Sequence, residues 1–600
     1  MQDTRSSDAS LRPQPAVTTA HVLDWWAERF PDRLAHTVVA PDGTESTVTY
    51  GTWHHTTLAV AAALARQGVT PGTYVGLSFP RGQVLDFAAC LVAVHRLGAA
   101  AVLLPADEDT ATRHTLATIC PLDCVVVAEQ DGPADAWPSG LPTLSVATLR
   151  ACSEPHPPAA TPDSAATALV VFTSGTTGTP KGVGIAYADL MARAPRKPAD
   201  LGTHPASGSV HLNAFQPSTA AGQWVALAPL LLGVLMITAV ELTPSSLIGT
   251  VRRHGVQEVS MVPAMAALLG GVPPEHAAHT ATVQRITMGT ARCPAPVLER
   301  VARLFPQAAI RVEYAGTESG FAGTGWNWRP GLAPDLVGQP NPGAQVRITD
   351  DHGTVLPHGH PGRVELCPPP GIPPRRYEGD PESTANTFRG TWVRMADIGY
   401  LDDDGSLHLV GRAEDFINTS GRKVPCAQVE RAVEQHSDVQ EAAAFALPDA
   451  MLGEEVAVVV TATKGTNAED VRRVAGAHLP GHAVPAHVFV LDELPRTRNG
   501  KIRKELLPTL LPRPQEHAAG SQTVEERLAR IVSRILGVPD VDHTRTLLDL
   551  GAASLHMLRI YFALVKELAA DFDVNLLFVG NSLTEIAEDI AAATDRTSRP

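Results

Sequence analysis

Two spacings of apolar residues alternate along most of this chain. Short runs such as Tyr-Val-Gly-Leu-Ser-Phe over 74–79 read as strands, and stretches such as 85–97 carry apolar residues at helical spacing. This alternation continues over 21–411 and predicts a large α/β body. A smaller α+β piece is expected over 412–511, with strands at 456–461 and 488–491 beside a helix over 428–435, so that the two bodies meet at a cleft. The uncharged run from 224 to 240 is nearly long enough for a membrane span, but Pro229 and Gly233 divide it into a short helix and a strand.

The pattern then breaks. Residues 512–521 are rich in Pro, Gly and Ala without apolar periodicity, which predicts a linker. Beyond it Thr523-Val-Glu-Glu526 reads as a capping box, and Val524, Leu528, Ile531, Val532, Ile535 and Leu536 form one helical stripe. Ser582-Leu-Thr-Glu585 opens another helix in the same way, giving a separate final domain over 522–595. Residues 1–20 are polar and are expected to be a disordered tail.

Composition narrows the possibilities. At 600 residues the chain exceeds a single hydrophobic core, and 44% apolar residues are ordinary for a globular protein. A net charge of −15 repels nucleic acid and anionic membranes, leaving small molecules and proteins as partners. The start, Met-Gln-Asp-Thr-Arg-Ser-Ser-Asp, lacks a secretory layout, and seven scattered cysteines suit a reducing compartment, so a cytoplasmic location without disulfides is expected. Cys120 and Cys124 lie close together, yet no second pair completes a zinc tetrad.

The chemistry concentrates in Phe172-Thr-Ser-Gly-Thr-Thr-Gly-Thr-Pro-Lys-Gly-Val183, directly behind the apolar run 168–172. Its glycines let backbone amides approach an anion, its hydroxyls add donors, and Lys181 adds one positive charge, so polyphosphate is the expected guest. It is not a Walker loop, because Pro180 precedes Lys181 and Gly182 follows it; a GxGxxG fingerprint is also absent.

This string resembles the signature loop of acyl-adenylate-forming enzymes, the superfamily of peptide-synthetase adenylation domains, acyl-CoA ligases and luciferase. The resemblance implies that Thr173, Ser174, Gly175, Thr176, Thr177, Gly178 and Lys181 hold the phosphates of ATP. Tyr314-Ala-Gly-Thr-Glu318 resembles a second family segment, implying that Tyr314 borders the nucleotide, Thr317 contacts phosphate and Glu318 holds Mg2+; Ala315 replaces the usual glycine. Asp397, in Trp392-Val-Arg-Met-Ala-Asp397, would accept the ribose hydroxyls, with Met395 and Ala396 in place of the family's Thr-Gly. Gly411-Arg-Ala-Glu-Asp415 resembles the hinge, placing Arg412 at the nucleotide. Lys501, in Leu494-Pro-Arg-Thr-Arg-Asn-Gly-Lys501, is implied as the catalytic lysine bridging the substrate carboxylate and the α-phosphate. Leu548-Asp-Leu-Gly-Ala-Ala-Ser-Leu555 resembles the attachment site of carrier proteins, implying an all-α four-helix carrier whose Ser554 bears 4'-phosphopantetheine.

The same alignment places Phe215, Gln216, Pro217, Ala220, Ser260, Ile286, Met288, Glu313, Phe321 and Ala322 around the acyl group. Gln216 stands where amino-acid-activating relatives carry the aspartate that pairs with the α-ammonium, so hydroxy, keto, aryl or short aliphatic acids are expected. Glu313 either meets a substrate amine away from the α position, or turns outward or pairs with a protein Arg or Lys. The sequence thus predicts an ATP-dependent ligase that makes acyl-AMP and passes the acyl group to its own carrier thiol. Expected partners are a small carboxylic acid, a phosphopantetheinyl transferase, a downstream synthase or tailoring enzyme and a small helper protein. Two alternatives stand beside this: an acyl-CoA ligase using free CoA, which Asn418-Thr-Ser-Gly-Arg-Lys-Val-Pro425 also fits, and a noncatalytic carrier-presenting scaffold.

Overall fold

The computed structural model describes residues 18–106, 108–128, 137–173, 180–192, 208–241, 243–269, 272, 274–320, 322–333, 335–419, 422–449, 453–463, 465–496, 501–510, 523–536, 541–550, 552, 557, 560–561, 563–565, 573–577 and 580–597. The chain forms two compact units: Met1–Pro448 with Glu454–Pro508, and Asp449–Gly453 with Thr509–Pro600. The first holds both the large α/β body and the smaller α+β piece.

Continuous apolar runs explain the sheet that carries the signature loop. In this seven-stranded sheet Ala100–Leu104 lies between Tyr74–Ser78 and Thr167–Thr173, all parallel, and every residue of Ala100–Leu104 is buried. Strands covered on both faces by other elements need no polar alternation. The helix Val84–Arg96 is apolar nearly all round and packs into the same core, with Phe87, Leu91 and Val94 at most 1% exposed. Where the run 224–240 divides, Trp224–Leu232 is a helix, Gly233 ends it at φ 70°, and Leu235–Ala239 is a strand.

A second sheet of 14 strands carries the segments expected at the acyl group and the ribose, with Glu258–Met261, Arg285–Met288 and Ala309–Tyr314 side by side and parallel. The smaller piece is a five-stranded sheet covered by the helices Cys426–Val433 and Ala468–Gly476, around a core that includes Val429, Val433, Val458 and Val471. Its strands Gly453–Ala462 and His487–Leu491 run parallel, and both are slightly longer than the apolar runs predict.

In the second unit both predicted capping boxes form. Thr523 and Glu526 exchange backbone-to-side-chain hydrogen bonds of 3.0 and 3.2 Å at the start of Val524–Leu536, and Ser582 and Glu585 do the same at 2.9 and 3.3 Å before Leu583–Thr597. Leu528, Ile531 and Val532 from the first helix join Leu583, Ile586 and Ile590 from the last in one apolar core. Ser554 lies outside the described residues.

Candidate active site

The ends of the signature hairpin are fixed by strand pairing. Thr173 closes one strand and Lys181 opens the next, directly opposite it in antiparallel register; Ser174, Gly175, Thr176, Thr177 and Gly178 lie outside the described residues. Lys181 Nζ donates to Ser383 Oγ at 2.7 Å and sits 5.0 Å from the centre of the Tyr377 ring. Its ammonium is therefore held at the base of the hairpin. Ser383 belongs to the helix Pro381–Thr387, whose N-cap Asp380 accepts the Ser383 amide at 2.9 Å.

Glu318 faces this hairpin. Its Oε1 accepts the Tyr377 hydroxyl at 3.1 Å and stands 3.5 Å from Thr173 Oγ1. The turn that presents it is pinned from below: Arg375 donates to the Thr317 carbonyl and, at 2.6 Å, to Asp189 Oδ2. The Arg375 and Asp189 side chains are 4% and 2% exposed, a buried ion pair that ties the Tyr187–Ala192 helix to the Thr317 turn. Gly320 is required there, because its φ is +58° and a Cβ would overlap the Arg375 guanidinium.

In the segment expected to meet the ribose, Asp397 Oδ2 accepts the Tyr314 hydroxyl at 2.7 Å, and Arg412 Nε lies 3.7 Å from Oδ1 because Asp397 and Arg412 are register partners on adjacent strands. Burial first, and then the Asp397 charge, push the Tyr314 phenol well above its ordinary range, so it remains a neutral donor. The departures from the family pattern are absorbed locally. Met395 is buried in the core beside Val393, and its methyl group fills the space that a Cβ on Gly316 would need.

Lys501 keeps solvent access but is crowded by protein. That crowding, followed by the Arg412 charge, draws its ammonium below the usual lysine range, while Glu318 and Asp397 pull the other way. Only groups near one another interact in this manner. Thr173, Lys181, Thr317 and Glu318 are linked through Tyr377, Ser383 and Arg375; Tyr314, Asp397 and Arg412 are linked through one another; and Lys501 lies within electrostatic reach of Glu318, Asp397 and Arg412.

The acyl-side residues divide. Gln216, with Ser218, lines a cavity of about 220 Å³ whose walls include Phe79, Arg81, Arg113 and Trp137. The turn behind Gln216 is close-packed: its carbonyl accepts the Thr219 hydroxyl at 2.8 Å, and a Cβ on Gly222 would overlap the carbonyl oxygen. Phe215 and Ala220 are half-buried; Pro217 and Ala322 are buried, and Phe321 lies outside the described residues. Ile286 and Met288 do not share a face with Ser260 and Glu313. Strand alternation buries both in the core with Val259, Met261 and Val312, while the register Ser260–Thr287–Arg311 sets the other face. Glu313, 45% exposed at its side chain, pairs with Arg311 Nε at 3.0 Å, two residues back on the same strand face. Glu313 is thus balanced by a protein cation.

Sequence reasoning missed Arg375, Asp189, Tyr377 and Ser383, which hold the motif residues in place but lie outside every recognisable motif themselves.

These features define an adenylate-forming enzyme, and comparison with known proteins agrees. The AMP-binding enzyme family pattern matches residues 23–367, and the AMP-binding enzyme C-terminal domain matches 428–501. The chain belongs to the AMP-binding enzyme family. Phenyloxazoline synthase MbtB of Mycobacterium sp. (strain MCS) is 28% identical over 92% of this chain and 49% of its own length. Oxalate–CoA ligase of Arabidopsis thaliana is 26% identical over 82% of this chain and 98% of its own. The chain spans half or less of the synthetase relatives it matches, from 6% to 49% of their length. Among solved structures, o-succinylbenzoate coenzyme A synthetase of Bacillus subtilis in complex with ATP and magnesium ion has the same fold, with a TM-score of 0.67, 22% identity and coverage of 81% of this chain and 99% of that one. No helix among the described residues is long and apolar enough to cross a membrane.

Proposed function

We propose that this protein activates a carboxylic acid with ATP and passes the acyl group to a thiol carried on its own 522–595 region. The observation that carries the reading is the convergence of Thr173, Glu318, Asp397, Arg412 and Lys501, groups that separately suit phosphate, metal, ribose and carboxylate. A substrate carboxylate oxygen would attack the α-phosphorus; the bond to the bridging oxygen would break, and pyrophosphate would leave with that oxygen. Both reactants are anions, so catalysis here is chiefly charge neutralisation and alignment. Lys501 would bridge the carboxylate and the α-phosphate, Lys181 and the signature loop would hold the outer phosphates, and Thr317 would contact phosphate.

Glu318 fits a magnesium ligand. Among the described residues its carboxylate receives hydroxyl donors from Thr173 and Tyr377 and has no lysine or arginine ion-paired to it. A single carboxylate can hold such a cation together with substrate phosphates and water. When bound, the ion would supply charge neutralisation at the phosphates. Ser554 would hold phosphopantetheine, whose thiol would lose its proton and attack the acyl carbonyl, the bond to the phosphate oxygen breaking as AMP leaves. The neutral Gln216 supports an acid without an α-ammonium group, and the ion pairing of Glu313 to Arg311 removes the one reason to expect an amine elsewhere.

A second reading, transfer to free CoA, is favoured by the oxalate–CoA ligase relative, which matches along 98% of its length. Incubation of the phosphopantetheinylated protein with ATP, CoA and a panel of labelled hydroxy, keto, aryl and aliphatic acids separates the two. Acyl-AMP followed by acyl label on the intact protein, lost in Ser554→Ala, supports the carrier reading. Acyl-CoA formed with an unlabelled protein supports the other.

A further inference from the structure

A chain of buried ion pairs runs from the large body to the segment bearing Lys501. Arg292 follows the strand Arg285–Met288 in the large body, while Glu430 and Glu434 lie on or at the end of the helix Cys426–Val433 in the small piece. Arg292 forks across both: Nη1 donates to Glu434 Oε2 at 2.9 Å, Nη2 donates to Glu434 Oε1, and Nε lies 3.8 Å from Glu430 Oε2. The two carboxylates are 8% and 5% exposed. The other oxygen of Glu430 meets Lys504 Nζ at 2.7 Å and accepts the Ala444 amide at 3.1 Å. Lys504 also pairs with Asp415 at 3.2 Å, beside the hinge. Lys504 is three residues beyond Lys501, and Arg496, just before the turn, pairs with Glu441.

These are not ordinary surface ion pairs. A surface arginine satisfies itself with one exposed carboxylate, whereas Arg292 commits its fork to two that are almost wholly buried and belong to another body. Glu430, taken out of water, needs both cations to remain an ion. Removing either cation leaves the carboxylate short of a partner and frees one end of the relay.

We propose that Arg292 and Lys504 are positioning residues which, through Glu430 between them, hold the Lys501 segment on the nucleotide side of the site and so favour acyl-adenylate formation over the step that follows. This rests on the adenylation reading above. In that orientation the relay is complete; a small body swung away from the large one would separate Arg292 from both glutamates, so the pairs bias the population toward the adenylating arrangement.

The test uses the full chain and the variants Arg292→Met, Arg292→Lys, Lys504→Met and Lys504→Arg. The first measurement needs no acid: hydrogen exchange of amides in 426–434. Faster exchange there in Arg292→Met, with the large-body strands unchanged, supports the relay; unchanged exchange at 426–434 overturns it. The second is single-turnover kinetics. Arg292→Met and Lys504→Met should slow adenylate formation roughly 5- to 50-fold at saturating ATP, with the KM for ATP little altered, and should leave transfer from preformed adenylate to the thiol as fast as in the wild type or faster. Lys504→Arg should restore most of the loss. Arg292→Lys should restore only part, since an ammonium cannot fork to two carboxylates. Equal slowing of both half-reactions, or no slowing of the first, overturns the proposal. A wild-type protein that forms no adenylate tells against the adenylation reading, while the exchange measurement still decides the relay.

Discussion

Asp189→Asn is the most informative single change outside the reacting groups. Asp189 touches no nucleotide; it neutralises Arg375, which in turn holds the Thr317 carbonyl. The pair is 2.6 Å apart with side chains 4% and 2% exposed, so solvent screening does not weaken it. An isolated guanidinium left in this position is the dominant penalty, and removing one partner of such a pair costs about 3–5 kcal/mol. The backbone is otherwise undisturbed, because asparagine has the shape of aspartate. Urea unfolding followed by tryptophan fluorescence should therefore show the first transition destabilised by that amount. Adenylate formation should fall as well, because the Thr317 and Glu318 turn loses its anchor. The double variant Asp189→Leu with Arg375→Met separates the two effects: replacing a buried pair by apolar groups of similar size is often neutral or stabilising, so stability should return while activity does not. A loss below about 1 kcal/mol in Asp189→Asn would refute the claim that the pair is buried and carries charge. Recovery of activity in the double variant would refute the coupling to Thr317.

Three further outcomes are expected. If Lys501 must be charged to act, adenylate formation should decline on the alkaline side at an apparent pKa below that of an ordinary lysine, since burial and Arg412 lower it. Arg412→Met, by removing a positive charge, should move that limb to higher pH, and Asp397→Asn should move it lower; a limb unmoved by both would show that Lys501 lies away from them. Gly222→Ala should lose acid selectivity and destabilise the protein by roughly 1–3 kcal/mol, because the new methyl group overlaps the Gln216 carbonyl; binding of an acyl-adenylate analogue with unchanged affinity would count against this. Finally, intact-mass analysis after treatment with a phosphopantetheinyl transferase should show one added arm, absent in Ser554→Ala.

Much of this organisation was legible in the sequence because it is local. The capping boxes at Thr523 and Ser582 need residues three apart, and both form. The division of 224–240 at Pro229 and Gly233 is likewise a short-range property of those two residues. What escaped is set by long-range pairing. Asp189 and Arg375 are 186 residues apart, and Arg292 and Glu434 are 142 apart; neither pair has a spacing that a sequence can advertise. The placement of Ile286 and Met288 failed for a different reason. A one-residue choice of register sends an entire strand's side chains to the opposite face, and only the pairing of Val259 with Ile286 and of Ile286 with Ile310 fixes it. Glu313 was left between two environments for the same cause, and strand alternation assigns it to Arg311.

The central claim, that Thr173, Glu318, Asp397 and Lys501 surround a single nucleotide, is tested most directly by calorimetric titration of the 600-residue chain with Mg·ATP, which requires no knowledge of the acid. The account predicts one site per chain, with Glu318→Gln and Asp397→Ala each weakening binding by at least about tenfold, or 1.4 kcal/mol, while leaving the fold intact. Wild-type affinity in both folded variants would contradict it.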